Sequence, residues 1–364
     1  MRYLPTVLLL LSMPAAALSG EPARQPDAPA LPDIPAFIQQ LDSLRQAAHI
    51  PGLSVAVVKD GSVLFAVGLG YADLEHHVIA TADTAYNIAS ATKPLSAVVA
   101  LRLAELGVLD LDRPMAAYSD WKDFCTAFAR QPSIFAKDLQ CDPPVQTLRH
   151  LLSHTATGTP GTHFSYNPVL YSWASRPIMA AAGQPFSSLV EKYVFEPAGM
   201  THSARTYRDL PLRKDLAEQL AVPYRLGASG AIERAPAPPP QGDGAAGGVI
   251  STVLDLAKFD VALDTGKLIS ERSRAEMVSP MRAPDGQALP YGIGWFVQEY
   301  NGETLVWHSG WWEKAYSALY LKVPGRGLTF IALANAEGVW RDNPRDKAEV
   351  ERSEFARAFL KTFL

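Results

Sequence analysis

A serine and a lysine three residues apart, Ser90 and Lys93, stand in the run Tyr86-Asn87-Ile88-Ala89-Ser90-Ala91-Thr92-Lys93-Pro94-Leu95. Residues at that spacing share one face of a helix, so the hydroxyl and the amine can meet. A serine attacks a carbonyl only once a base takes its proton, and a lysine becomes that base when burial or another cation lowers its pKa. The apolar residues that follow, Ala97-Val98-Val99-Ala100-Leu101, would bury the helix and hold the pair rigid. Pro94 is tolerated in a first turn, whose N–H groups have no partner. Ser90 is therefore expected near a helix N-terminus, where the dipole favours negative charge. Alone, Ser-x-x-Lys is a weak signal.

Three further segments add to it: Thr147-Leu148-Arg149-His150-Leu151-Leu152-Ser153-His154-Thr155, Pro160-Gly161-Thr162-His163-Phe164-Ser165-Tyr166-Asn167, and Trp307-His308-Ser309-Gly310-Trp311. Tyr166 offers a phenol whose ordinary pKa is near 10, and a lysine titrates near 10.4, so neither is a base at pH 7 by itself. Packed together, the lysine cation would lower the phenol, and burial with a neighbouring cation would lower the amine. Ser90, Lys93 and Tyr166 could then supply a nucleophile and a proton shuttle without a Ser-His-Asp triad. Trp307, Trp311 and Trp312 fit either core packing or an apolar wall for an acyl group. His150 and His154 have the i, i+4 spacing of zinc ligands, but no glutamate follows His150 as in a metalloprotease helix. They are read as holding the Leu148 helix and the loop before Tyr166. Gly227-Ala228-Ser229-Gly230 lacks the spacing of a Gly-x-Ser-x-Gly elbow, which argues against an α/β-hydrolase.

The elements that must position these residues follow from pattern. Ala36 to His49 reads as an amphipathic helix with Phe37, Ile38, Leu41 and Leu44 on one face. Leu53–Val58 and Val63–Gly68 read as strands joined by an Asp60-Gly61 turn. The Ser90 helix is expected to run to about Leu106 and stop at Gly107. Leu148–Ser153 is expected as one helical turn, Tyr171–Ala182 as a helix, and the Pro- and Gly-rich stretch Ala235–Gly248 as a loop. Thr252 and Asp255 form a capping pair ahead of Leu256-Ala257-Lys258-Phe259. Tyr291–Tyr300, Thr304–Ser309, Ala315–Val323 and Leu328–Leu333 read as strands, and Glu349–Leu364 as a closing helix. The fold class expected is α/β: an antiparallel sheet built from N- and C-terminal segments, flanked by helices, with a mainly helical insertion over roughly 109–268.

The chain has 364 residues and a formal net charge of −4, with no Lys/Arg cluster, which argues against nucleic acid as a partner. Arg2, the apolar Val7–Leu11 and the small residues Ala15-Ala16-Ala17 read as a signal peptide over 1–19, too short to span a bilayer. A disordered lead-in is expected over 20–35, and the folded domain over 36–364. The expectation is export to the periplasm or medium, with no stable membrane anchor after cleavage. Cys125 and Cys141 could be two buried thiols or, as preferred in an exported chain, a disulfide worth roughly 3 kcal/mol.

With the Ser90 segment, these motifs resemble the serine β-lactamase-related family: class C β-lactamases, DD-peptidases, D-aminopeptidases and family VIII-type esterases. Ala245-Ala246-Gly247-Gly248-Val249-Ile250-Ser251-Thr252 and Tyr291-Gly292-Ile293-Gly294-Trp295 are also similar to that family's phrases. The resemblance runs from about Leu53 to the C-terminus and rests on several motifs in the right order. It implies a β-lactamase/transpeptidase-like fold. It further implies Ser90 as an acylated nucleophile, Lys93 as its partner, and Tyr166 as the tyrosine of a Tyr-x-Asn motif that moves protons. His308, Ser309 and Gly310 would line a wall of the site, and the backbone N–H groups of Ser90 and Trp311 would hold the oxyanion. Such a donor lowers the barrier by a few kcal/mol. Asn167 completes the expected binding set.

Two departures stand out. The place two after Tyr166 holds Pro168, and Asn167 comes one place early, so the amide that would meet a substrate carbonyl or the lysine is displaced. His308 stands where lactamases carry lysine, and an imidazole holds a carboxylate less firmly. Both tilt the expectation toward an esterase or peptidase acting on a small acyl substrate, with β-lactamase or DD-carboxypeptidase as the alternative. No metal or organic cofactor is needed for this chemistry. A binding protein that is acylated by cell-wall fragments or β-lactams without turning over is the reading from another class.

Overall fold

The computed structural model describes residues 32–118, 120–239 and 241–364. The expected signal peptide and most of the expected lead-in therefore lie outside the described residues. Helix α1 (Ile34–Ala47) starts earlier than its apolar pattern suggests, because Asp33 caps it by accepting the Ala36 N–H at 3.0 Å and Pro35 suits a first turn. The lead-in thus ends before Ile34.

Seven strands form one antiparallel sheet: β1 (Gly52–Lys59), β2 (Ser62–Asp73), β3 (Val78–Ile79), β4 (Phe296–Tyr300), β5 (Glu303–Trp312), β6 (Tyr316–Val323) and β7 (Leu328–Ala334). Their spatial order is β3-β2-β1-β7-β6-β5-β4, so the two ends of the chain meet at the β1–β7 pairing, which runs from Leu53 against Ala334 to Lys59 against Leu328. Strands β1, β6 and β7 read as continuous apolar runs because both their faces are covered. Val55, Val57, Phe330 and Ala332 enter one core with Phe37 of α1 and Phe359 of the closing helix. Ala56, Val58, Ile331 and Leu333 enter the other, with Val98 of helix α2 (Lys93–Glu105) and Leu256 of helix α3 (Val253–Asp264). Thr252 caps α3 by accepting the Asp255 N–H at 3.1 Å, as its sequence predicts.

Several boundaries differ from expectation for identifiable reasons. The closing helix α4 spans Glu354–Phe363, because Ser353 is extended and caps it. The strand expected from Tyr291 begins only at Phe296. Gly294 turns the chain at φ +82, and a Cβ there would fall 2.7 Å from Ala97 of α2. The single helix expected over Tyr171–Ala182 is two, Pro168–Trp173 and Ser175–Ala182, joined at Ala174. The insertion is mainly helical but also holds short strands. One of these, Val249–Ser251, pairs with both Tyr86–Asn87 and Ala204–Arg205. No helix among the described residues is long and apolar enough to cross a membrane.

Candidate active site

Asn87 ends one of those short strands, and its Oδ1 accepts the Ala89 N–H at 2.9 Å. Ala89 is then forced to φ +47, left-handed for a residue with a Cβ. This local bend, which costs about 1 kcal/mol or more, lifts Ser90 out of the core at the start of a 3₁₀ turn, Ala89–Thr92, that runs straight into α2. Ser90 is half-buried and lines a cavity of about 1200 Å³.

Lys93 is fully buried, and its Nζ donates to Ser90 Oγ at 2.7 Å and to the Ala246 carbonyl at 3.3 Å. It also lies 5.0 Å from the ring centre of Tyr166 and 5.3 Å from that of Tyr171. Its partners are neutral, and burial holds the amine well below its ordinary pKa. Burial pushes the Tyr166 phenol up, while the Ser90 side chain and the charge of Arg345 oppose that push. Burial therefore favours a free amine beside a protonated phenol. This corrects the expectation of a phenol lowered by the lysine: burial is the larger influence, and it raises the phenol.

Tyr166 is positioned by His154. The His154 carbonyl accepts the Ser165 N–H at 2.8 Å, and His154 Nδ1 accepts the Asn167 N–H at 3.0 Å, so the histidine grips both sides of the tyrosine. Its ring lies 4.4 Å from that of Tyr166. His150 Nδ1 accepts the Thr147 N–H in a capping box at the Leu148 turn. Both histidines thus hold the helix turn and the loop that precede the tyrosine.

Ser309, Trp311 and Trp312 line the cavity, whereas Trp307 is core and donates to Gln298 at 2.9 Å. Strand β4 pairs with β5 only as far as Trp307, which leaves the Ser309–Trp312 edge without a strand neighbour on the side of the Ser90 turn. Gly310 is required there, since a Cβ would fall 2.1 Å from the Ile88 carbonyl oxygen.

Two expected binding residues are placed elsewhere. His308 is fully buried and does not line the cavity: Nδ1 donates to the Ser309 carbonyl at 2.6 Å, and Nε2 accepts from the Tyr291 hydroxyl at 3.0 Å. Burial holds it well below its ordinary pKa, so the imidazole is poorly suited to carry a charge. Asn167 is also buried. Its Oδ1 caps the next helix by accepting the Leu170 N–H at 3.0 Å, and its Nδ2 donates to the Phe135 carbonyl at 2.6 Å. The shift by one place turned the amide from the cavity into the scaffold. Cys125 and Cys141 are joined as a disulfide with their Cα atoms 5.7 Å apart.

Other residues at the cavity carry no local signal in the sequence. Arg345 lines it with its guanidinium 3.3 Å from the centre of the Trp311 ring. Ile134 and Phe135 arrive from a short 3₁₀ turn, Ile134–Ala136, and Gln241 from a loop. Behind the cavity, buried Tyr171, whose hydroxyl donates to the Lys93 carbonyl at 2.9 Å, comes from a helix with an ordinary apolar pattern.

Comparison with known proteins agrees with this geometry. The sequence model of the family described as Beta-lactamase matches residues 37–353. Protein flp of Staphylococcus aureus (strain NCTC 8325 / PS 47) is 27% identical over 323 residues, covering 82% of this chain and 63% of that protein. The penicillin-binding protein PbpX of Bacillus subtilis (strain 168), itself named as putative, is 27% identical over 257 residues, covering 66% of this chain and 61% of that protein. The chain thus spans less than two thirds of the length of these curated relatives. Among solved structures, the octameric penicillin-binding protein homologue from Pyrococcus abyssi aligns with a TM-score of 0.71 at 24% identity, over 84% of this chain and 74% of that one. The D-amino acid amidase from Ochrobactrum anthropi SV3 aligns with a TM-score of 0.69 at 20% identity, over 91% of this chain and 98% of that one. Both share its fold.

Proposed function

We propose that this chain, which belongs to the beta-lactamase family, is a serine hydrolase that cleaves esters or small acyl compounds in preference to β-lactams. Acylation starts when Ser90 Oγ attacks the substrate carbonyl and gives its proton to the free amine of Lys93. The backbone N–H groups of Ser90 and Trp311 receive the oxyanion. The Tyr166 hydroxyl then protonates the departing alkoxide and recovers its proton from Lys93. Water attacks the acyl-enzyme by the same route in reverse, and Ser90 is regenerated.

One observation carries the ester preference. The amide of Asn167 is spent on the Leu170 N–H and the Phe135 carbonyl, so it is not offered to a substrate amide. The imidazole of His308, poorly suited to carry a charge, points the same way. A small amide is the second reading, favoured by the fold shared with a D-amino acid amidase. Export is part of the proposal, supported by the apolar start of the chain and the Cys125–Cys141 disulfide.

The test is kcat/KM on a short aryl ester, a D-amino acid amide and a chromogenic cephalosporin, with Ser90→Ala as control. An ester favoured by orders of magnitude and a dead control are expected. A cephalosporin that wins overturns the preference. Trapping of Ser90 as a stable acyl adduct without turnover points to the binding protein instead.

A further inference from the structure

Ile134 is 83% exposed and yet lines the cavity that contains Ser90. A single exposed aliphatic side chain is ordinary, so its neighbours and its fastening decide what it means. Phe135, Phe164 and Val169 line the same cavity, as do the charged Arg345 and Asp346. An uncharged apolar group tethered to an acyl carbon at Ser90 gains by lying against the apolar part of this lining.

The Ile134–Phe135 turn is fixed from several directions. The Phe135 carbonyl accepts from Asn167 Nδ2 at 2.6 Å, and the Asp138 carbonyl accepts the Gly158 N–H at 2.7 Å. Ser133 caps the turn by accepting the Phe135 N–H at 3.2 Å. The Cys125–Cys141 disulfide closes the loop that carries it. A segment exposed to solvent and fastened by a side chain adjacent to Tyr166, a crossing backbone bond and a covalent bridge is built to keep its shape.

We infer that Ile134 and Phe135 form a braced apolar wall that selects substrates carrying an aryl or medium-chain alkyl group, with Asn167 and the disulfide as its braces. The inference rests on Ser90 as the nucleophile. Loosening either brace lets the wall move and lowers selectivity, so reduction of the disulfide changes which substrate is preferred.

The experiment measures kcat and KM on p-nitrophenyl esters from acetate to octanoate. Wild-type kcat/KM rises with chain length, mainly through KM. In Ile134→Ser and Phe135→Ala the octanoate-to-acetate ratio falls about tenfold, the effect of exposing one or two methylenes. The ratio falls in the same sense in the Cys125→Ser/Cys141→Ser double variant. Asn167→Asp, which keeps the helix cap and loses the donor to Phe135, does the same if the double variant fails to fold. A ratio unmoved in these variants, or an equal fall on every ester, overturns the wall. Binding of 4-phenylbutyramide and of propionamide to Ser90→Ala, followed by tryptophan fluorescence, separates the two readings. If the wild type hydrolyses no ester but phenylbutyramide binds more tightly than propionamide and loses that advantage in Ile134→Ser, the nucleophile reading fails and the wall stands. If the two amides bind alike, the wall fails by itself.

Discussion

Arg205 and Asp243 form an ion pair at 3.3 Å with side chains only 1% and 11% exposed. The same guanidinium donates to the carbonyls of Gly247 at 2.9 Å and Gly244 at 2.8 Å. It thereby fastens the loop whose Ala246 carbonyl accepts from Lys93. Breaking a buried pair by removing one partner leaves a charge uncompensated and costs about 3–5 kcal/mol. Arg205→Met is expected to lose stability on that scale and to lower kcat. Arg205→Met/Asp243→Asn should recover part of the stability. Urea melts of the single and double variants check it, and a double variant less stable than Arg205→Met would contradict it.

Lys93→Met separates stability from function. Removing the base lowers kcat about 10²–10⁴-fold. The buried amine titrates below its value in the unfolded chain, so over the window between the two the unfolded chain holds more protons and stability rises with pH. The wild type therefore carries a cost at pH 7 that methionine removes. The variant's urea midpoint should exceed the wild type's at pH 7, and the gap should shrink as pH approaches the ordinary lysine range. A less stable Lys93→Met at pH 7 would argue that the amine is charged in the native state.

Gly310→Ala tests the close contact between strand β5 and the nucleophile segment. The added Cβ would lie 2.1 Å from the Ile88 carbonyl oxygen, two residues before Ser90. The strand and the turn must separate, at about 1–3 kcal/mol for overpacking. A misplacement of about 1 Å costs on the order of 10²-fold in rate. Circular dichroism should show a folded protein, while acylation by an active-site titrant becomes slow; unchanged acylation would refute the contact.

Acid sensitivity follows from His154 and His308. Burial holds both well below their ordinary pKa. Below about pH 6.5 the unfolded imidazoles take up protons that the native ones refuse. Their contribution is present in full above that pH and is lost as pH falls toward the folded values. Denaturant midpoints measured from pH 7.5 to pH 4.5 should fall, and His308→Gln should make the fall shallower. An identical slope in the variant would rule out His308 as a source.

The sequence was most legible where chemistry and helix geometry coincide. Ser90 and Lys93 meet because three residues on a helix is a fixed distance. The long strands were readable because sheet burial on both faces leaves apolar runs such as Leu328–Ala334. Asn167 and His308 were misplaced because a motif fixes the order of residues and not the direction of a side chain. A one-place shift made Asn167 a cap, and Tyr291, distant in sequence, took the imidazole of His308. The strand Val249–Ser251 escaped notice because three residues show no period. Arg345 and Ile134 reach the cavity through a loop and a short 3₁₀ turn whose paths are set by tertiary contacts.

The β1–β7 pairing has a consequence for how the chain is made. The centre of the sheet joins Leu53 to Ala334, and Phe37 near the start packs 5.3 Å from Phe363 near the end. A growing chain cannot close this sheet until Ala334 has left the ribosome, and contacts so distant in sequence form slowly. The first hairpin must wait with one edge open, exposed to other chains. The pairing that closes the sheet is thus the step that removes this open edge.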